Sequence, residues 1–116
     1  LKIMIQPTLF LHVLQNFVQN AIKFSPKGAT IEINSTLING EFIVRVIDEG
    51  IGIDESKDLF APFKRYGNSS GAGLGLFLAK GAAQALGGRI ELRNRIDRSG
   101  TIATLTLPIR NSKYKK

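Results

Sequence analysis

Several residue types are missing or scarce in this chain of 116 residues, and each absence excludes a class of protein or site. Cysteine and tryptophan are absent, and histidine occurs once. Without cysteine there is no disulfide framework and no thiolate metal site, so a reducing compartment is permitted. No apolar run approaches the ~20 residues of a transmembrane helix, and the start carries no signal-peptide pattern. The length suits a single domain with one core.

Acidic residues are also scarce, at 9 against 16 basic ones, which gives a net charge of +7. Part of this excess lies in the final stretch, from Arg110 to Lys116, which we interpret as a solvated terminus. A nucleic-acid site would interleave aromatic residues with basic ones, and only Tyr114 does so here, so no nucleic-acid partner is expected. Because the chain opens on Leu1, we expect residues 1–116 to be one domain cut from a longer protein.

The periodicity of apolar residues predicts two helices and four strands. Apolar steps of three and one predict a helix over 8–24, with Pro7 in its first turn, and a second helix over 74–86. Strands are predicted over 30–35, 42–47, 89–94 and 101–107, with Asn39-Gly40 as a hairpin turn. The region 49–72 lacks periodicity, which is typical of a functional loop or lid. The pattern predicts an α+β fold, a two-layer sandwich with both helices on one face of a mixed sheet.

The first helix carries a polar face that points to a ligand. Asn16, Asn20 and Lys23 stand at i, i+4 and i+7, so their side chains share one face. Amides are poor occupants of a helix interior unless they have a function, because they compete for backbone hydrogen bonds. The spacing therefore predicts two amides and an ammonium held over something polar.

Two glycine motifs follow. Asp48-Glu49-Gly50-Ile51-Gly52 ends a predicted strand, where a carboxylate can accept from an exocyclic amine and glycine lets the backbone approach a flat ligand. A tight turn would look the same. Residues 71–76, Gly-Ala-Gly-Leu-Gly-Leu, run into the second helix, where free N–H donors and the helix dipole favour a phosphate. A flexible hinge with a helix cap explains this second motif equally well.

Taken together, four motifs in order resemble the catalytic ATP-binding domain of sensor histidine kinases. They are Asn-x-x-x-Asn-Ala-x-Lys-Phe from Asn16, Asp-x-Gly-x-Gly from Asp48, Leu-Phe-x-Pro-Phe-x-Arg from Leu59, and Gly-x-Gly-Leu-Gly-Leu from Gly71. The resemblance covers essentially the whole chain. It implies a Bergerat fold, shared with gyrase, ATP-driven chaperones and mismatch-repair ATPases, with Mg·ATP between the long helix and an ATP lid.

The resemblance also implies roles for single residues at the base of the nucleotide. Asp48 would bind the adenine amine, helped by water and Thr101, while Gly50 and Gly52 would shape the base pocket. Phe24 stands where many relatives have Tyr, so it would contribute packing without a hydroxyl contact. Other departures are Gln6 in place of a common Asp, Ala103 in place of a frequent aromatic residue, and a short lid.

At the phosphate end, Asn20 with Asn16 would hold Mg²⁺, which prefers oxygen ligands. Lys23 would pair with phosphate oxygens, and Arg65 with Lys64 would neutralise the γ-phosphate during transfer. The glycine motif before the second helix would bind the phosphates: Gly71, Gly73, Leu74, Gly75 and Leu76. The candidate catalytic residues are Asn16, Lys64 and Arg65.

Asn16 separates a kinase from an ATPase of the same fold. The ATPase relatives place a Glu four residues before the metal-binding Asn as general base for water, and an amide cannot take that proton. We therefore expect transfer to a histidine of a separate helical domain of the parent protein, with a response regulator as indirect partner. A GHKL-type ATPase and a nucleotide-binding regulatory module are the alternatives. His12 lacks the surroundings of the family's phosphoacceptor, so we interpret it as a structural or surface residue. We expect a cytoplasmic location for the domain.

Overall fold

A computed structural model describes residues 5–61 and 74–109 of the chain. The bounds of its helices and strands are α1 Pro7–Phe24, β1 Glu32–Ile38, β2 Glu41–Ile47, α2 Gly75–Ala85, β3 Arg89–Asn94 and β4 Thr101–Pro108. The order and type of the predicted elements are confirmed, with bounds that differ by a few residues at most. The predicted lid lies partly outside the described residues, since it continues over 62–73.

The first helix begins and ends where its local sequence dictates. Pro7 occupies the first turn, where its missing N–H costs nothing, and the side chain of Gln6 accepts a hydrogen bond from the Leu9 N–H at 3.0 Å. Gln6 thereby performs the capping that a shorter Asp or Asn would perform, which is why its substitution for Asp leaves the helix start intact. At the other end the Ser25 N–H donates to the Ala21 carbonyl, and Pro26 follows.

The four strands form one sheet in the order β1-β2-β4-β3, and every pair within the described residues is antiparallel. The expected mixed sheet is therefore wrong for this part of the chain. The α2 crossover does make β2 and β3 run in the same direction, but β4 returns from the β3 hairpin and inserts between them. The β1–β2 turn is as predicted, with left-handed φ values of 53° at Asn39 and 77° at Gly40.

Both helices lie on one face of the sheet and share a core with it. Val13, Phe17 and Ala21 of α1 are buried, as the apolar spacing predicts, against Val46 of β2 and Leu105 of β4. Truncating a fully buried residue such as Phe17 to Ala typically costs about 3–5 kcal/mol of unfolding free energy. This core fixes the height of α1 above the sheet, and with it the polar face of α1.

The largest apolar residues of α2 do not form its buried face. Phe77 and Leu78 are 44% and 48% exposed, whereas the buried residues of this helix are Ala79, Ala82 and Ala83. Small side chains let α2 approach α1 closely, so the larger residues are turned outward. Ile33 of the edge strand is likewise more than half exposed.

Candidate functional site

A cavity of about 250 Å³ opens between α1, the start of α2 and the sheet. Its walls are mostly apolar, with a small number of polar groups, which is the usual character of a small-molecule site. Six of the predicted site residues line it: Asn20, Phe24, Asp48, Gly52, Leu76 and Thr101. The apolar cluster that begins the third motif also contributes, through the buried Leu59. The structure therefore brings the first two motifs and the start of α2 to one cavity.

Asp48 is the most firmly held polar group of this cavity. It is buried to 7% exposure at the end of β2. Its Oδ1 accepts from the Gly50 N–H and the Thr101 N–H, both at 2.9 Å. Hydrogen bonds to a charged acceptor are stronger than neutral ones. The carboxylate thus has a fixed direction, and both of these bonds use the same oxygen.

The two glycines of the turn after Asp48 are required for different reasons. A Cβ on Gly50 would lie 2.6 Å from the carbonyl oxygen of Phe24, so this backbone packs directly on the end of α1. Gly52 has φ +86°, in the left-handed region, and a Cβ there would lie 2.5 Å from Oδ1 of Asn94. Gly52 lines the cavity, whereas Gly50 supports the turn from behind.

The last residue of β3 and the β3–β4 loop hold this turn in place, and neither was predicted from the sequence. Asn94 accepts from the Ile53 N–H at 2.7 Å and donates to the Ile53 carbonyl at 2.8 Å. Arg95 donates to the Asp48 carbonyl at 3.0 Å, and the Ser99 hydroxyl donates to the Gly50 carbonyl. An amide at the end of a predicted strand, as at Asn94, is the one local pattern that could have marked this loop.

Arg95 is itself held by Asp97. Its Nε and Nη2 donate to the two carboxylate oxygens at 3.0 and 2.8 Å, a bidentate pair. Hydrogen bonding to Asp97 raises the pKa of Arg95, and hydrogen bonding to Arg95 lowers the pKa of Asp97. The guanidinium is therefore positioned to hold the backbone of the turn.

At the other end of the cavity, Asn16 faces the start of α2. Its Nδ2 donates to the His12 carbonyl at 3.0 Å and lies 3.4 Å from His12 Nε2. Since a carbonyl can only accept, the Asn16 amide must direct its nitrogen there and its oxygen elsewhere. That oxygen lies 2.6 Å from where a Cβ on Gly75 would stand. Asn16 itself does not line the cavity.

The first turn of α2 lacks a side-chain cap. Its N-cap residue, Leu74, offers no side-chain hydrogen bond, so the first N–H donors of the helix are not satisfied that way. Leu76 of this turn lines the cavity. Lys23, one turn beyond Asn20, places its Nζ 5.9 Å from the ring centroid of Phe24. Lys23 is exposed and does not line the cavity.

Some predicted residues cannot be placed. Lys64, Arg65, Gly71 and Gly73 lie outside the described residues. Within residues 5–61 and 74–109, no group of three or more His, Asp or Glu side chains could hold a metal ion. In the same ranges, no helix is both long and apolar enough to cross a membrane.

Comparison with known proteins agrees with this geometry. A sequence profile of the family described as "Histidine kinase-, DNA gyrase B-, and HSP90-like ATPase" matches residues 5–111. Sensor protein KdpD of Rathayibacter rathayi is 38% identical over 113 residues, covering 92% of this chain and 13% of the relative. Sensor protein BasS of Salmonella typhimurium is 40% identical over 106 residues, covering 86% of this chain and 29% of the relative.

Solved structures give the same result. The mycobacterial sensor histidine kinase MprB superposes with a TM-score of 0.81 at 25% identity, covering 93% of this chain and 77% of that one. The catalytic domain of histidine kinase ThkA gives 0.80 at 27% identity, covering 91% and 70%. The expected two-layer sandwich is confirmed by these superpositions.

The chain therefore belongs to the family of histidine kinase-, DNA gyrase B- and HSP90-like ATPase domains. Within that family it is an ATP-binding catalytic domain of the sensor histidine kinase type, since the two relatives are sensor proteins and the two structural neighbours are histidine kinases. It spans about an eighth of the length of KdpD and less than a third of BasS.

Proposed function

We propose that this domain binds Mg·ATP in the described cavity and transfers the γ-phosphoryl group to a histidine on a separate helical domain of its parent protein. The observation that carries the proposal is the buried Asp48, whose direction is fixed by two backbone donors on a single oxygen. Its second oxygen is then the natural acceptor for the exocyclic amine of adenine. The apolar walls around it suit a flat base.

The base would be enclosed by residues from three segments: α1, the turn after β2, and β4. The Thr101 N–H donates to Asp48, and Thr101 lines the same cavity, which supports a role for its hydroxyl in binding the amine through water. Gly52 lets the wall pass close to the ring. Phe24 supplies an apolar surface at the end of α1.

The phosphates would lie towards the start of α2. The uncapped N–H groups of Leu74, Gly75 and Leu76 are suited to bind phosphate oxygens, together with Gly71 and Gly73. Lys23 would pair with phosphate oxygens, and Lys64 with Arg65 would neutralise the charge that develops on the γ-phosphate. These assignments are supported by the position of α2, whose residue Leu76 lines the cavity.

The amide oxygens of Asn20 and Asn16 fit a magnesium ion that is held mainly by phosphates. Asn20 lines the cavity, and the hydrogen bond from Asn16 to the His12 carbonyl leaves its oxygen facing α2. Mg²⁺ usually takes few protein oxygens and completes its shell with phosphates and water. When bound, the ion would neutralise charge on the β- and γ-phosphates.

Transfer rather than hydrolysis follows from the chemistry of Asn16. A nitrogen of the acceptor imidazole attacks the γ-phosphorus, a P–N bond forms, the bond to the β,γ-bridging oxygen breaks, and ADP leaves. The imidazole brings its own lone pair and releases its ring proton to solvent, so no protein base is needed. Water would need one, and the amide of Asn16 cannot serve. An ATPase or a purely regulatory module is therefore not favoured.

The outer side of the two helices supports docking of a helical partner. A groove beside the site is lined by Thr8, Leu9 and His12 of α1 and by the exposed Phe77 and Leu78 of α2. Such apolar side chains are suited to contact the acceptor domain of the parent protein. A response regulator would then receive the phosphoryl group, and the cytoplasm is the compartment we propose for these steps.

Titration calorimetry with the purified chain tests the nucleotide site. Asp48→Ala and Asn20→Ala should each weaken Mg·ATP binding by about 10- to 100-fold, since hydrogen bonds to charged groups contribute about 1.5–3 kcal/mol. Asn34→Ala is the matched control, because the Asn34 side chain donates to the exposed Glu32 on β1 and does not line the cavity. Unchanged binding in both site variants would refute the assignment. Absence of transfer to a supplied acceptor domain, despite ATP binding, would refute the kinase activity.

A further inference from the structure

We propose that Asn94 is a positioning residue that sets the base wall of the nucleotide cavity and thereby its preference for adenine over other purines. The inference rests on the proposed function. It concerns a residue outside the four motifs, which does not line the cavity and acts only through the segment that it holds.

Asn94 imitates a strand at a place where the chain has none. Its Oδ1 and Nδ2 bond to the N–H and the carbonyl of Ile53, at 2.7 and 2.8 Å, across 41 residues of sequence. One amide thus satisfies both backbone groups of one residue, as a neighbouring strand would. Because Asn94 ends β3, it is anchored in the sheet. The Asn94 side chain therefore fixes the position of the Ile53 backbone relative to the sheet.

A third bond and a close contact tighten the same junction. The Asn94 N–H donates to Glu55 Oε2 at 3.0 Å. Oδ1 of Asn94 also fills the space that a side chain on Gly52 would need. The glycine and the asparagine are thus interlocked, and the left-handed backbone at Gly52 cannot change without disturbing the amide.

The segment held in this way is the wall of the base end. Ile51, Gly52, Ile53 and Asp54 all line the cavity beside Asp48, and none of them belongs to a helix or strand. Among the described residues, the hydrogen bonds of Asp54 go only to nearby residues of the same loop, Ser56 and Lys57. A wall without its own regular structure depends on such tethers for its shape.

The phosphate end has a separate support, so the effect of Asn94 should be confined to the base. Asn16 is held by α1 itself and faces α2. Loss of the Asn94 bonds would let the wall recede from the ring, and contacts that recognise the purine edge would weaken. Contacts to the phosphates would stay. A purine with a different edge should then be distinguished less well from adenine.

The test compares ATP with inosine triphosphate, which carries a carbonyl in place of the exocyclic amine. We expect Asn94→Ala to weaken ATP binding about tenfold, as for the loss of its two part-buried hydrogen bonds, while inosine triphosphate binding changes much less. Asn94→Asp keeps the shape and one acceptor but sets a carboxylate against the Ile53 carbonyl, so it should reduce the ATP preference similarly. Asn34→Ala should leave the preference unchanged.

The following outcomes decide the matter, with dissociation constants measured well below each unfolding temperature. A reduced ATP preference together with faster hydrogen exchange of the Ile53 amide supports the proposal. An unchanged preference, or an equal loss for both nucleotides, overturns it, since an equal loss reports only general loosening. If the unaltered chain binds ATP and inosine triphosphate equally well, the inference about Asn94 is refuted but the proposed function is not. If the unaltered chain binds neither nucleotide, both the inference and the proposed function are refuted.

Discussion

The two glycine motifs of the nucleotide cavity are built on different principles. Gly52 adopts a backbone conformation with φ +86°, and the adjoining Ile53 is hydrogen-bonded to Asn94 at the end of β3. Gly75 lies in an ordinary helix and only leaves room for the oxygen of Asn16 on the neighbouring helix. The base end is thus fixed by long-range side-chain bonds, and the phosphate end by two helices in contact. Glycine is needed at the base end for its positive φ, and at the phosphate end because a side chain would collide with Asn16.

The largest effect is expected where glycine serves both purposes. Gly52→Ala forces a side chain into the left-handed region, at about 1–2 kcal/mol, and also against Asn94. We expect a lower melting temperature and a loss of ATP affinity of about 100-fold, because the base wall must move. Differential scanning fluorimetry and titration calorimetry measure the two quantities.

Gly28→Ala is the matched control for Gly52→Ala. Gly28 has a similar φ of +84°, with nothing within 4 Å of a Cβ, and it lies outside the cavity. It should lower stability by the conformational strain alone and leave ATP binding intact. Equal ATP affinities for the two variants would show that the contact of Gly52 with Asn94 is unimportant for binding. The proposed difference between the two glycine motifs would then be wrong for Gly52.

A smaller effect is expected at Gly75, the first residue of α2. Gly75 does not have a positive φ, so Gly75→Ala should lower the melting temperature less than Gly52→Ala does. Its methyl group would nevertheless displace the Asn16 oxygen, and Mg·ATP affinity should fall by about tenfold. Gly81→Ala in the same helix meets nothing within 4 Å and should gain stability without losing affinity. Matching affinities in the two variants would contradict the spacing role of Gly75.

The sequence could identify the motifs but not what supports them. The spacing of Asn16 and Asn20 predicts their common face, because helix geometry is local. Asp48 at a strand end is likewise predicted from the chain around it. Asn94 lies 41 residues from its partner, and that pairing depends on the insertion of β4 between β2 and β3. No local pattern carries such information.

The same limit explains the errors in the fold. Phe77 and Leu78 are the large apolar residues of α2, yet the buried residues of that helix are its alanines Ala79, Ala82 and Ala83. Periodicity predicts that a helix has an inner face, but the partner element decides which residues occupy it. The pairing of β4 with both β2 and β3, which makes the described sheet antiparallel, is also a property of the whole fold.

The smallest effect is expected at His12, which tests how much support the phosphate end draws from side chains. His12→Ala removes the 3.4 Å contact of Asn16 with the ring but leaves the 3.0 Å bond to the backbone carbonyl, so the amide should keep its direction. We expect Mg·ATP affinity to change by less than about threefold, the lower range for one hydrogen bond. A larger loss would mean that the histidine ring, and not the helix backbone, orients Asn16.

The same variant separates His12 from the phosphoacceptor. Incubation of the isolated chain with radiolabelled ATP should give no acid-labile protein phosphate, and His12→Ala should still phosphorylate a supplied acceptor domain. His12→Gln serves as control, since its amide can accept from Asn16 but cannot form a phosphohistidine. Labelling of the unaltered chain that disappears in both variants would make His12 the acceptor. The His12 ring would then have to leave its contact with Asn16 to reach the nucleotide.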